Sequence, residues 1–123
     1  MGRGVGVRFE RGTVVQVELD PTVGHEQRGI RPCIVVSDPV VNAGQRFPLI
    51  AVVPVTGTPG RGALYPSLSP GRSGLTKPSC ALIDHLRSID KRRIRRVYGR
   101  VQAAEIVSID QGLRLFLGLE PAP

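Results

Sequence analysis

Tryptophan is absent from this 123-residue chain, and its aromatic side chains amount to three Phe and two Tyr. The core therefore has to rest on Val, Leu and Ile. A single small domain built that way buries modest area. Many such domains gain the rest by self-association, so a homodimer is expected on that ground. The same scarcity argues against an RRM-type RNA binder, whose strands stack bases on aromatic rings. Cysteine is limited to Cys33 and Cys80, each inside an apolar run, which reads as a pair of buried packing thiols rather than a disulfide. Two isolated cysteines and two isolated histidines lack the spacing of a zinc site, so neither metal nor cofactor is expected. Long apolar runs are missing too. Leu49 to Val53 stops at Pro54, far short of a bilayer span, so no membrane partner is expected. Met1 to Arg8 has no continuous apolar stretch and makes a poor signal peptide, which leaves the cytoplasm as the expected location. No phosphate-binding GxxxxGK[ST], GxSxG, HExxH or paired CxxC is present. No repeat appears at a solenoid period.

What the chain does have is positive charge. Seventeen Lys and Arg against ten Asp and Glu give a net charge of +7 and a pI near 10.7. A balance of that size favours polyanionic partners: nucleic acid, an anionic membrane surface or an acidic protein. Residues 11–119 read as one domain, with 1–10 a flexible Gly-rich segment and 120–123 a short tail. Thr13 to Leu19 alternates, with Val15, Val17 and Leu19 on one face, and predicts a half-buried strand. Cys33 to Ser37, apolar on both faces, predicts a central strand, and Leu49 to Val55 a third. Pro54 in the third argues for an edge, a bulge or the strand's end. Tyr65 to Leu68, Ser79 to Leu86 and Val97 to Val101 complete the strands. A helical turn is expected at Ile89 to Ile94, capped by Asp90. Ala103 to Leu117 is the one good helix: Ile106, Ile109, Leu113, Phe116 and Leu117 recur at spacings of three and four, and Gly118 follows as a cap. Five or six short strands joined by Gly/Pro turns, with one terminal helix, predict a mainly β, compact and partly open barrel.

Chemistry-bearing side chains concentrate in the loop Gly24 to Pro32, which holds His25, Glu26, Gln27, Arg28 and Arg31. On composition this is a solvated hairpin loop. Arg31 departs from that reading. It stands where the loop enters an apolar strand, and Pro32 holds it in extended geometry. A guanidinium presented at such a mouth suits a phosphate, which it can bind through two parallel donors. Thr56 closes the third strand and Asp84-His85 ends the run from Ser79; either can be an ordinary strand-end polar group. Lys91 to Arg96 is basic at five of six positions, which reads as a solvated face or a general phosphate contact.

In order along the chain, Arg11-Gly12-Thr13, Leu19-Asp20-Pro21, Gly24-His25-Glu26-Gln27, Arg31-Pro32, Val35-Val36-Ser37, Val53-Pro54-Val55-Thr56, Gly74-Leu75-Thr76-Lys77-Pro78-Ser79, Asp84-His85-Leu86-Arg87-Ser88-Ile89-Asp90-Lys91 and Gly118-Leu119 resemble the MazF/PemK family of toxin endoribonucleases. Each piece alone is weak; their order and spacing over residues 11–119 carry the resemblance. It implies a small SH3-like, CcdB/PemK-type five-stranded barrel with a C-terminal helix and a short helical turn, working as a homodimer. It also implies cleavage of single-stranded RNA at short motifs, and a cognate antitoxin whose acidic or amphipathic tail occupies the RNA groove, with DNA binding only as that complex. Carried over by position, the catalytic Arg and Thr fall on Arg31 and Thr56, the first-loop His and Glu on His25 and Glu26, and a further catalytic Asp on Asp84. Gln27, Arg28, Ser37 and Arg87 fall on RNA-contacting positions. The PemK-like branch places an Arg two residues before that Asp. Here the position is Leu82, so that version of the site is incomplete.

RNA brings its own nucleophile, the 2′-OH, so the reaction needs only proton transfer and stabilisation of charge on phosphorus. In the reading this implies, Arg31 stabilises the pentavalent phosphate, Thr56 hydrogen-bonds a non-bridging oxygen, and His25 or Glu26 moves protons. The products are a 2′,3′-cyclic phosphate and a 5′-OH. Two alternatives stand beside it. A CcdB-like gyrase-binding toxin shares the fold but relies on a Trp-containing tail, where this chain ends Leu119-Glu120-Pro121-Ala122-Pro123. A non-catalytic RNA-binding module would keep the basic run but has no reason to hold Arg31 and Thr56 at strand ends.

Overall fold

The computed structural model describes residues 9–19, 24–26, 29–58 and 60–119. Seven strands among these form one antiparallel sheet. Strand β1 (Thr13–Glu18) pairs on one side with β2 (Ile30–Val35) and on the other with β7 (Ile94–Arg100). Strand β2 pairs with β3 (Leu49–Thr56). The first half of β3 pairs with β6 (Arg87–Asp90), and its last two residues with β5 (Ser79–Ala81), which carries the short β4 (Ser67–Leu68). Because β6 runs through a 3-10 turn at Lys91–Arg93 straight into β7, the pairing closes a circuit through β3, β2, β1, β7 and β6. That circuit corresponds to the expected five strands. The extra pair, β4 and β5, extends the far end of β3. Two register shifts between β1 and β7 supply the curl that closure needs.

Two apolar clusters follow from the pleat. Val15, Val17, Leu19, Cys33, Val35, Ile50, Val52 and Ile89 fill the inside of the circuit. Val14, Ile34, Val53, Val55, Ala81, Ile83, Val101 and Ile109 form the second, beneath the terminal helix. The alternation in β1 thus places Val15, Val17 and Leu19 together, as the sequence predicts, while Val14 serves the other face. Burial leaves both cysteines as free thiols and pushes the Cys33 thiol up to about 12.

Local outcomes both follow and depart from the sequence reading. Pro54 falls among the last three residues of β3, paired with Cys33, which is the strand-end placement the sequence allows and not the edge. Its carbonyl accepts the Leu82 N–H at 2.8 Å. In an extended strand a residue's N–H and C=O point to the same side, so the missing proline N–H faces the gap where β3 passes from β6 to β5, and no ladder bond is lost there. The run Ser79 to Leu86 is not one strand. It breaks after Ala81 into a 3-10 turn, Ile83–His85, because Ile83 turns down into the helix-side cluster. A five-residue helix, α1 (Pro39–Ala43), occupies part of what reads as a loop. Asp38 caps it by accepting from the Val40 N–H at 2.8 Å, and Pro39 takes the first turn.

The terminal helix α2 (Ala103–Leu117) has the predicted bounds, with a reciprocal Gln102/Glu105 cap and Gly118 in the left-handed conformation at φ 68°. Ile109 is buried and Ile106 and Leu113 are half-buried, but Phe116 and Leu117 stay exposed at 44% and 48%. The apolar periodicity therefore runs one turn beyond the surface that the sheet can cover. Gly112 has a packing reason: a Cβ there would lie 2.7 Å from the Ala63 carbonyl oxygen and 3.0 Å from Ile83. This close approach seats α2 against the turn that carries Asp84 and His85. Arg11 fixes the other side of the helix, donating to both Asp110 carboxylate oxygens and, at 2.7 Å, to the Val36 carbonyl.

Candidate active site

The ends of β2 and β3 bring the two leading candidates together. Their ladder pairs Cys33 with Pro54, Ile34 with Val53 and Val35 with Val52. Continued by two residues, that register sets Arg31 opposite Thr56 on the same side of the pleat. Both line a cleft of about 350 Å³ with Gly57, Thr58, Leu75, Thr76, Lys77 and Ser79 among its walls. Arg31 is the second residue of β2 and is exposed, so the strand fixes the start of its side chain at the rim of the cleft. The Thr56 hydroxyl accepts the Thr58 N–H at 3.1 Å. That is the turn-starting role the sequence allows. Accepting that bond leaves the hydroxyl proton available for an incoming acceptor.

Thr56 also borders a second cleft of about 450 Å³, shared with His25, Thr58, Arg61, Tyr65, Leu82 and His85. A third, of about 270 Å³, is lined by His25, Glu26, Asp84, His85 and Arg87. His25 and His85 thus stand on both of these adjoining clefts, while Glu26 reaches only the third. Asp84 accepts the Tyr65 hydroxyl at 2.8 Å, which holds that phenol above its ordinary range, and lies 3.8 Å from His85 Nε2. Leu82 is 8% exposed and lines the second cleft, so the position where the PemK-like branch carries an Arg is apolar here. Arg87 borders the third cleft while donating to the Leu19 carbonyl at 3.1 Å.

Other expected contacts fall elsewhere. Ser37 donates to Asn42 and accepts the Ala51 N–H at 3.0 Å, which ties α1 to β3. It does not line these clefts. Gln27 and Arg28 lie outside the described residues. The basic run is largely engaged within the chain. Lys91 donates to the Gly44 carbonyl at 3.0 Å, Arg92 to Asp90, Arg93 to the Glu18 carbonyl and Arg95 to Glu18, while Arg96 lies 5.3 Å over the Tyr98 ring. Arg92 holds the Asp90 carboxyl at about 2. Of the aromatic rings, Tyr65 lines the second cleft, and Phe47 packs over Gly44 beside α1.

Sequence reasoning did not single out Lys77 and gave His85 only a strand-end role, yet both line these clefts. Both stood inside recognisable segments, but their positions depend on the loop before β5 and on the 3-10 turn. Among the described residues no group of three or more His, Cys, Asp or Glu side chains could hold a metal ion, and no helix is long and apolar enough to cross a membrane.

Known proteins share this fold. Endoribonuclease MazF9 of Mycobacterium tuberculosis is 40% identical over 117 residues, covering 90% of this chain and 98% of its own. The crystal structure of MazF from Deinococcus radiodurans superposes with a TM-score of 0.77 at 28% identity, covering 91% of this chain and 98% of that one. A MazE–MazF structure from the same organism gives 0.71 at 28% identity, covering 93% and 99%. The family model for the PemK-like, MazF-like toxin of type II toxin–antitoxin systems matches residues 10–117, and the chain belongs to that family.

Proposed function

We propose that the Arg31–Thr56 cleft cuts single-stranded RNA, messenger RNA foremost, by attack of the substrate's own 2′-OH and without a metal ion. The chain is an endoribonuclease toxin of a toxin–antitoxin system. The observation that carries the cleft assignment is that Arg31 and Thr56, at the neighbouring ends of β2 and β3, line one cleft. In the reaction the 2′-OH gives up its proton and O2′ bonds to phosphorus. The P–O5′ bond then breaks and O5′ takes a proton. Phosphorus carries one more negative charge in the transition state than in the substrate. Arg31 faces that charge with paired N–H donors, and Thr56 donates its hydroxyl to a non-bridging oxygen. His25 and His85 lie on the cleft that Thr56 borders, and they take the two proton transfers. Glu26 and Asp84, on the neighbouring cleft, set the charge around the imidazoles. The test is to map 5′-OH ends after purified protein acts on total RNA, with and without EDTA. Cleavage at short motifs, unchanged by EDTA, is expected. Uncut RNA would end the nuclease assignment, and activity lost in EDTA would end the metal-free mechanism.

The system's antitoxin is the protein partner. An acidic tail laid over Arg31, Lys77 and Arg61 would compete with RNA for the same charge. Homodimerisation would cover the apolar end of α2, where Leu115, Phe116, Leu117 and Leu119 are 44–63% exposed. Sedimentation of the purified chain at micromolar concentration is expected to give twice its 13.2 kDa mass; a monomer would remove this reading. Action on RNA in the cytoplasm follows from the same assignment.

A further inference from the structure

We propose that Lys77 is a second phosphate-binding cation of the Arg31–Thr56 cleft, and that position 57 is glycine so that the Lys77 ammonium can reach it. The inference rests on the cleft assignment above. Lys77 lines that cleft together with Arg31, Thr56 and Gly57. A Cβ on Gly57 would come within 2.3 Å of Lys77 Cε and 2.8 Å of its Nζ. The lysine stem therefore lies directly across the α-carbon of the residue that follows Thr56. Gly57 is not among the glycines with positive φ, so its backbone does not demand glycine; what a Cβ there would do is push the flexible end of Lys77 out of this position. Unlike Arg92 and Arg95 of the basic run, the Lys77 ammonium has no carboxylate partner among the described residues.

The charge balance gives this placement a purpose. A phosphodiester carries one negative charge, and 2′-O attack brings phosphorus to two. Arg31 matches one of them, and an ammonium held beside Thr56 matches the second. An interaction that strengthens as charge develops lowers the barrier as well as aiding binding. Lys77 then acts on kcat and not on KM alone.

Lys77→Met keeps the apolar stem over Gly57 and removes only the charge. On a 5′-labelled transcript that the wild-type chain cuts, it is expected to lower kcat/KM by about 10- to 100-fold. The slope of log(kcat/KM) against log salt should also flatten by about 0.7, the value for one single-strand phosphate contact. Lys77→Arg should recover to within a few-fold of wild type. Gly57→Ala should fall as Lys77→Met does, and the double variant should be no worse than either single, because both remove one interaction. Lys77→Met within twofold of wild type, or Lys77→Arg no better than Lys77→Met, would overturn the proposal. Effects of Gly57→Ala and Lys77→Met that multiply would overturn the role given to Gly57. Arg31→Ala is run alongside: if it too cuts normally, the cleft assignment fails rather than the role of Lys77 within it.

Discussion

Arg31→Ala is expected to lower kcat/KM on RNA by about 10²- to 10³-fold, the usual cost of removing a donor aimed at developing oxyanion charge. Its thermal midpoint should stay close to wild type. The stability half follows from position. Arg31 is exposed, and the buried cluster inside the barrel starts two residues later at Cys33. The strand itself is held by the Val17–Arg31 and Gln16–Pro32 pairings, which alanine preserves. The catalytic half follows from geometry. The β2–β3 register fixes the Arg31 stem opposite Thr56, and Pro32 limits the backbone freedom before it. Arg31→Lys separates charge from shape, since an ammonium keeps the charge but cannot form two parallel hydrogen bonds to one phosphate. Its rate should fall between wild type and Arg31→Ala. Initial rates on a defined transcript, with a melt on each variant, decide the matter. A folded Arg31→Ala that cuts at the wild-type rate removes Arg31 from the mechanism.

Which features could be read from the sequence depended on whether their causes were local. The bounds of α2 emerge because fifteen residues repeat the apolar spacing four times and Gly118 stops it. Its outer turn misleads for the same reason: periodicity reports an apolar face, not whether the sheet extends far enough to cover Phe116 and Leu117. Helix α1 is too short for periodicity, and Asp38-Pro39 reads equally as the end of a strand or as a cap followed by a first-turn proline. Strand β6 shows little pattern in Arg87-Ser88-Ile89-Asp90, because its pairing partner, Leu49 to Val52, is some forty residues away. The split of Ser79 to Leu86 was hidden too. Its apolar residues feed both the β5 ladder and the helix-side cluster, and composition does not separate the two. That Arg31 and Thr56 border one cleft could be anticipated because Pro32 and Gly57 mark where their strands meet loops. Lys77 and His85 arrive from segments whose paths are set by tertiary packing. Ser37 stood in a family-like position, yet here it holds α1 to β3 through Asn42 and Ala51.

The second large effect concerns His25 and His85. They come from the first loop and the 3-10 turn, sixty residues apart, and meet at the cleft that Thr56 borders. Attack and departure each move one proton, so two imidazoles suffice, one accepting from the 2′-OH and one donating to O5′. Imidazole is the side chain whose charge ordinarily changes between roughly pH 5 and 8. One neutral and one protonated ring then produce a bell-shaped pH–rate profile. Replacing either histidine with alanine is expected to remove one limb and cost about 10²-fold or more. Replacing both should leave a nearly flat profile and only the stabilisation that Arg31, Thr56 and Lys77 provide. A 3′,5′-linked substrate with a thiol-substituted O5′ leaving group adds a sharper discrimination. Such a leaving group needs no protonation, so it should rescue the variant lacking the acid and not the one lacking the base. A double-histidine variant that keeps the full bell on the natural substrate would return the proton transfers to Glu26, the remaining candidate from the first loop.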